Sequence, residues 1–410
     1  WNIAYAPMQL ELMRLMQSPD FMLTGLLQLE DKTGQKPGDR LDDWFQWLWD
    51  QEYQPHPQYA DFKRQLYQLI DERFADYFDA NRATDIRLDE VRWGGVHQNG
   101  IPPLRNPKML SPAEISAGAA DWLEDDHIVF GLSVNGDVRA YPKRILAWHE
   151  MFIDTVGGTP VAGVYCTLCG ALVLYETELD GKQYKLGTSG FLYRSNKLMF
   201  DEDTSSLWNT LWGRPAAGPL VGEGIQLKYR SVVTTTWGEW RKRHPQSSVL
   251  SLETGHQRDY GEGVAYNSYF SNDEIMFAVP NITNSSSSTG ESLANKAEVL
   301  AIRVAESAEN TVAIAAQTLS EKPIFPLQIG KQNIVVLTDG SGANRVYDAN
   351  NFAVKTFDGN NIVIDSNNKR WTLTESALIS SEGDRKARLP AHRAFWFGWQ
   401  AAYPDTKLIR

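Results

Sequence analysis

Apolar residues along the first 80 positions recur at helical spacing. After Pro57 they fall at Phe62, Leu66, Leu69, Ile70, Phe74, Tyr77 and Phe78, which predicts an amphipathic helix. Ser18-Pro19-Asp20 supplies a capping residue followed by proline at the first helical position. The run Trp44, Phe45, Trp47, Leu48 and Trp49 reads as packing against the main body rather than as a ligand box. Between 85 and 130, Gly94-Gly95, Pro102-Pro103 and Pro107 punctuate a long loop, and Ser111-Pro112-Ala113-Glu114 fits a capping box.

From residue 127 the alternation turns to that of strands. The stretches 127–134 and 137–141 flank Asn135-Gly136, a hairpin turn signal. A helix is predicted over 142–155, stopped near Gly157-Gly158. Strands follow at 161–166 and 171–178, then a second hairpin at Asp180-Gly181, with further strand-like runs at 191–200 and 231–235 and a short helix over 237–244. Residues 281–292 (NITNSSSSTGES) form a polar, low-complexity loop. Seven short strands separated by Asp, Asn and Gly turns then lead to the closing aromatic stretch Phe395-Trp396-Phe397-Gly398-Trp399. The pattern predicts an α+β protein: a helical segment over 1–84, then a β-rich core over 85–410 of mostly antiparallel short strands, with the polar insert at 281–292.

Composition narrows the functional classes. The 410 residues are 42% hydrophobic with 14 tryptophans, so a packed core is expected and disorder is excluded. The net charge of −11 and the lack of a basic patch argue against nucleic acid as partner. No stretch reaches the roughly 20 apolar residues of a membrane span. The chain opens at Trp1 without methionine, which fits removal of a signal or anchor, and export to the periplasm or cell exterior is the expectation.

The chain has 2 cysteines, Cys166 and Cys169, in Val164-Tyr165-Cys166-Thr167-Leu168-Cys169-Gly170-Ala171. A C-x-x-C-G turn between strands is the knuckle form of thiolate metal sites, with glycine free to close the turn. Two thiolates half-fill a tetrahedral site, so His, Asp, Glu or Met must complete it. Copper is the preferred metal for such a soft site, with zinc as alternative. A metal-free thiol–disulfide couple stays open, although a strand rather than a helix follows Cys169. So does an inert or structural knuckle in a binding module.

The runs Arg139-Ala140-Tyr141-Pro142, Trp148-His149-Glu150 and Tyr165–Gly170, the segment Thr188–Met199, and Trp396-Phe397-Gly398-Trp399 carry a family resemblance. Over about 90–405 the chain resembles the prokaryotic family catalogued as domain of unknown function 3179. That resemblance implies export, because members often carry an N-terminal signal or anchor. It implies little about activity.

His149 is the first choice as third metal ligand, with His392 and His97 behind it. On the predicted 142–155 helix, His149 falls about 14 Å short of Cys166 if helix and following strand pack antiparallel. Tyr165, Arg194 and Asn196 are candidate pocket or catalytic residues, Met199 a possible soft ligand, and Arg258-Asp259-Tyr260 an ion pair or pocket wall. Serine-nucleophile, zinc-protease and P-loop signatures are absent. The polar insert cannot bury enough apolar area to offset its ordering. Deletion of Asn284–Gly290 is therefore expected to leave the thermal unfolding midpoint and the metal content nearly unchanged.

Overall fold

The computed structural model describes residues 1–16, 18–280, 293–304 and 310–410. The predicted polar loop at 281–292 lies outside the described residues. Strand exceeds helix, 34% against 24%, and the sheets are mostly antiparallel, so the α+β, β-rich class holds. The chain divides into two compact units that alternate along the sequence. The first takes Trp1–Ile101, Lys185–Gln226 and the described part of 274–288. The second takes Pro102–Tyr184, Leu227–Asp273 and the described remainder to Arg410.

In the first unit, helices Ala6–Met16, Pro19–Thr33, Leu41–Trp49 and Tyr59–Tyr67 accompany a five-stranded sheet. The apolar run after Pro57 does not make one helix. It breaks after Tyr67, and Glu72–Tyr77 forms a 3₁₀ turn. The Asp71 carboxylate accepts from the Arg73 amide at 3.1 Å, a local bond that competes with helix continuation, and Leu69 at the break is 81% exposed. The predicted strand-like stretch 191–200 is a hairpin. Strands Leu186–Tyr193 and Asn196–Asp201 meet at Arg194-Ser195, both with positive φ.

This unit buries a charged cluster. Glu11 accepts from Lys63 Nζ (3.1 and 3.2 Å), from Tyr59 Oη (2.8 Å) and from Tyr67 Oη. Lys63 also donates to the Val91 carbonyl at 2.7 Å, and the Arg92 guanidinium lies 3.3 Å over the Phe45 ring. Burial pulls the Lys63 ammonium down to about 8, with Glu11 opposing. Removing one partner of such a pair strands the other charge in the core. Glu11→Gln is expected to cost about 3–5 kcal/mol in denaturant unfolding, and Glu11→Gln/Lys63→Met to recover part of it, since the buried Arg92, 3.7 Å from Glu11, still loses its carboxylate.

The second unit is built from sheets. One has the order Tyr229–Arg230, Ala171–Glu176, Thr159–Cys166, Met151–Val156, Leu104–Arg105. A second has Val233–Thr236, Ile128–Val134, Asp137–Pro142, Ser248–Leu250, Met109–Leu110. A four-stranded sheet and an eight-stranded sheet follow, built largely from residues after 298. The Asn135-Gly136 hairpin and the Ser111–Glu114 capping box form as predicted.

The predicted 142–155 helix is corrected. Helix occupies Lys143–His149, and Met151–Val156 is a strand. Glu150 ends the helix at φ +54, with its amide donating to Leu146 O at 2.7 Å. The β-branched and aromatic residues that follow (Phe152, Ile153, Thr155, Val156) favour a strand. It pairs antiparallel with Thr159–Cys166, from Val156↔Thr159 to Met151↔Val164. Gly157-Gly158 is thus a hairpin turn rather than a helix stop. One buried carboxylate links this hairpin to the Asp137–Pro142 strand: Asp154 accepts from Arg139 Nη1 at 2.7 Å and Tyr141 Oη at 2.9 Å.

Candidate functional site

The cysteine turn lies in the second unit. Strands Thr159–Cys166 and Ala171–Glu176 pair up to Cys166↔Ala171, and Thr167–Gly170 closes the hairpin. The Cys169 amide donates to Cys166 O at 3.1 Å, and Gly170 takes φ +60. The two sulfurs are joined in a disulfide, and the pair is buried, Cys166 at 2% and Cys169 at 0% exposure.

Three neighbours fix the turn from outside. The Phe395 amide donates to Cys169 O at 2.7 Å, and Tyr269 Oη donates to Leu168 O at 2.8 Å. Gly398, on the helix Trp396–Ala402, faces Cys169 so closely that a Cβ there would sit 2.9 Å from the Cys169 Cβ. The closing aromatic stretch of the sequence is therefore the outer wall of the cysteine turn.

Shortening the 142–155 helix removes the 14 Å shortfall. The Tyr165 amide donates to Glu150 O at 2.8 Å, which brings the His149 backbone to the cysteine end of the sheet. The imidazole is engaged elsewhere. Its Nδ1 donates to Pro102 O at 2.9 Å, and its Nε2 accepts from Tyr260 Oη at 2.5 Å. Tyr260 Oη in turn lies 2.6 Å from Thr254 Oγ1. Burial pulls His149 down to about 4.

His392, on the strand Ala391–Phe395, is buried in the same unit with Nδ1 against Tyr229 Oη. Its Nε2 has no hydrogen-bond partner among the described residues, and burial followed by Arg303 pulls it down to about 3. His97 belongs to the first unit and is exposed, 3.6 Å from Asp71. Arg194 and Asn196 also belong to the first unit. Arg194 Nε pairs with the buried Glu90 at 2.5 Å, and Asn196 Nδ2 donates to Arg194 O at 3.2 Å. Met199 is buried in that unit's sheet, paired with Trp208. Among the described residues, one group of three His, Cys, Asp or Glu ligands converges within 4.8 Å, the largely exposed Glu124, Asp126 and His127. It contains neither cysteine.

Tyr165 is fully buried beside the turn, and its hydroxyl has no hydrogen-bond partner among the described residues. It lines a cavity of about 140 Å³ together with Gly170, Lys143, Glu298, Arg393 and Phe395. Sequence reasoning named Tyr165 for a pocket wall and missed the others. Lys143 directly follows the distinctive Arg139–Pro142 run, a signal that was available. Glu298 and Arg393 come together only through the register Glu298↔Phe395 and Leu300↔Arg393.

Fold and site define a β-rich α+β protein whose second unit presents a strand–turn–strand cysteine pair beside a small cavity with charged and apolar side chains in its wall. The chain belongs to the family described as "Protein of unknown function (DUF3179)", whose model matches residues 98–406. No curated protein and no solved structure matches it. No described helix is long and apolar enough to cross a membrane.

The two buried histidines give a pH prediction. Their folded values lie below the ordinary 6.5, so between about 4 and 6.5 the unfolded chain binds more protons than the native one. Stability is full above 6.5 and falls as the pH drops through this window, by at most about 1.4 kcal/mol per pH unit per group. Urea unfolding of His392→Gln is expected to show a shallower loss between pH 6.5 and 4 than the parent. An identical slope would mean that His392 titrates normally in the fold.

Proposed function

We propose that the Cys166–Cys169 pair is the working group of this protein and cycles between disulfide and dithiol. The observation that carries this reading is the joined, buried pair set beside a cavity lined by charged and hydroxyl side chains. Reduction takes two electrons and two protons from a dithiol donor. One donor thiolate attacks a cysteine sulfur, the S–S bond breaks, and the other cysteine leaves as thiolate and is protonated. The second donor thiolate then attacks the mixed disulfide, freeing the second cysteine and leaving the donor oxidised. Burial of both sulfurs favours a small-molecule redox partner over a protein one. A disulfide of this kind supports a periplasmic or extracellular location.

A second reading has one observation in its favour: the turn lies between two strands and not at a helix N-terminus. That is the setting of thiolate knuckles, in which the reduced pair would hold copper, or zinc. The third ligand is the weak point. His149 could serve only by giving up its Pro102 or its Tyr260 bond.

One experiment separates the readings. Protein purified without chelator, affinity metal or reductant is expected to show no free thiol on unfolding, two after reduction, and no stoichiometric metal. In the native state a small dithiol should reduce the pair faster than the chain unfolds, and Cys166→Ser should abolish the exchange. Two free thiols with about one equivalent of copper or zinc would overturn the redox reading in favour of the metal one. Reduction only at the unfolding rate would make the disulfide structural.

A further inference from the structure

We propose that the cavity beside the cysteine turn binds a small monocarboxylate with an apolar tail, its carboxylate set between the Lys143 side chain and the Tyr165 hydroxyl. This goes beyond the sulfur chemistry, since the binding itself needs neither cysteine.

The polar requirement comes first. The Tyr165 hydroxyl is wholly buried and has no hydrogen-bond partner among the described residues. A buried O–H without an acceptor is costly; the oxygen is closed to a water-sized group as the chain stands, so a ligand oxygen in the cavity that Tyr165 lines relieves that cost on a small shift of the ring. Lys143 points to the same ligand. It has no hydrogen bond and no ion pair within 4.0 Å among the described residues, and its Nζ rests 4.5 Å over the Phe270 ring. Burial lowers its pKa, and Glu298 and Glu262 only partly oppose that. A carboxylate beside it would supply the missing counter-charge.

The other cation on the wall is already satisfied. Arg393 donates to Glu298 at 2.7 Å through Nη1, to Asn344 Oδ1 at 2.7 Å through Nε, and to Gly342 O at 2.6 Å through Nη2. One uncompensated cation therefore calls for one negative charge. Ile128, Phe130 and Phe395 make part of the wall apolar, which suits a hydrocarbon tail and not a fully hydrated phosphate. The volume, about 140 Å³, sets the size. A cavity of this order takes a molecule of roughly six non-hydrogen atoms, which excludes peptides and nucleotides.

Calorimetry on the full chain with butyrate, its neutral isostere butyramide, and inorganic phosphate tests the assignment. Butyrate is expected to bind saturably, with butyramide and phosphate each at least about tenfold weaker. Lys143→Met should weaken butyrate by about tenfold or more, and Tyr165→Phe by a smaller factor of about three to ten. Lys143→Gln serves if the methionine variant does not fold. Cys166→Ser/Cys169→Ser is expected to bind butyrate within about twofold of the parent, so failure of the thiol experiment and failure of this one are told apart. Absence of saturable butyrate binding, butyrate affinity unchanged in a folded Lys143 variant, phosphate binding as tight as butyrate, or loss of binding in the cysteine variant would each overturn the proposal.

Discussion

The hydrogen bond from the Tyr165 amide to the Glu150 carbonyl is the constraint on which the second unit's site depends. It forms only because Glu150 adopts a left-handed backbone, ends the helix after His149 and turns the chain into a strand. From that point three strands run antiparallel side by side: Met151–Val156, Thr159–Cys166 and Ala171–Glu176. The cysteine turn is the free end of this ladder. Its position is set by backbone bonds, its cover by Phe395 and Gly398, and its neighbouring cavity by Tyr165, Lys143 and the Glu298–Arg393 pair. A left-handed non-glycine residue is unfavourable on its own, and here the helix-closing bond from its amide to Leu146 O on one side and the ladder that starts at Met151 on the other hold it in place.

Much of this was legible in the sequence because it depends on short-range chemistry. Asn135-Gly136 and Asp180-Gly181 demand hairpin turns, and Ser111 with Glu114 makes a reciprocal cap. The cysteine pair was visible from spacing alone. The boundary at residue 150 was not, because Lys143–His149 has a helical apolar pattern that continues in register into Phe152, and the strand preference of Ile153, Thr155 and Val156 prevails through pairing with Thr159–Cys166. The hairpin at Arg194-Ser195 escaped for a related reason. Neither residue is a turn former of the Asn-Gly kind, so nothing local announced the reversal.

The candidate site divides along the same line. Cys166, Cys169 and Tyr165 share one hairpin, so their proximity follows from the chain itself. Arg194 and Asn196 come from a motif-like segment that belongs to the other unit, where Arg194 already pairs with Glu90. Lys143, Glu298 and Arg393 are separated by up to 250 positions and meet through sheet register, which a single sequence does not display.

The alternation of the two units along the chain has a consequence for biosynthesis. The helices of the first 101 residues emerge from the ribosome long before Lys185–Gln226 arrives to complete their unit. Their apolar faces, with Tyr67, Phe74 and Phe78 among them, pack on Phe191, Phe200 and Leu207 and must be kept from self-association through that interval, during which Pro102–Tyr184 is made. A nascent chain of this design has a built-in window of exposure. No single cut at a unit boundary yields two pieces that can each fold alone, so shortened versions of the protein are expected to aggregate rather than to report on either unit.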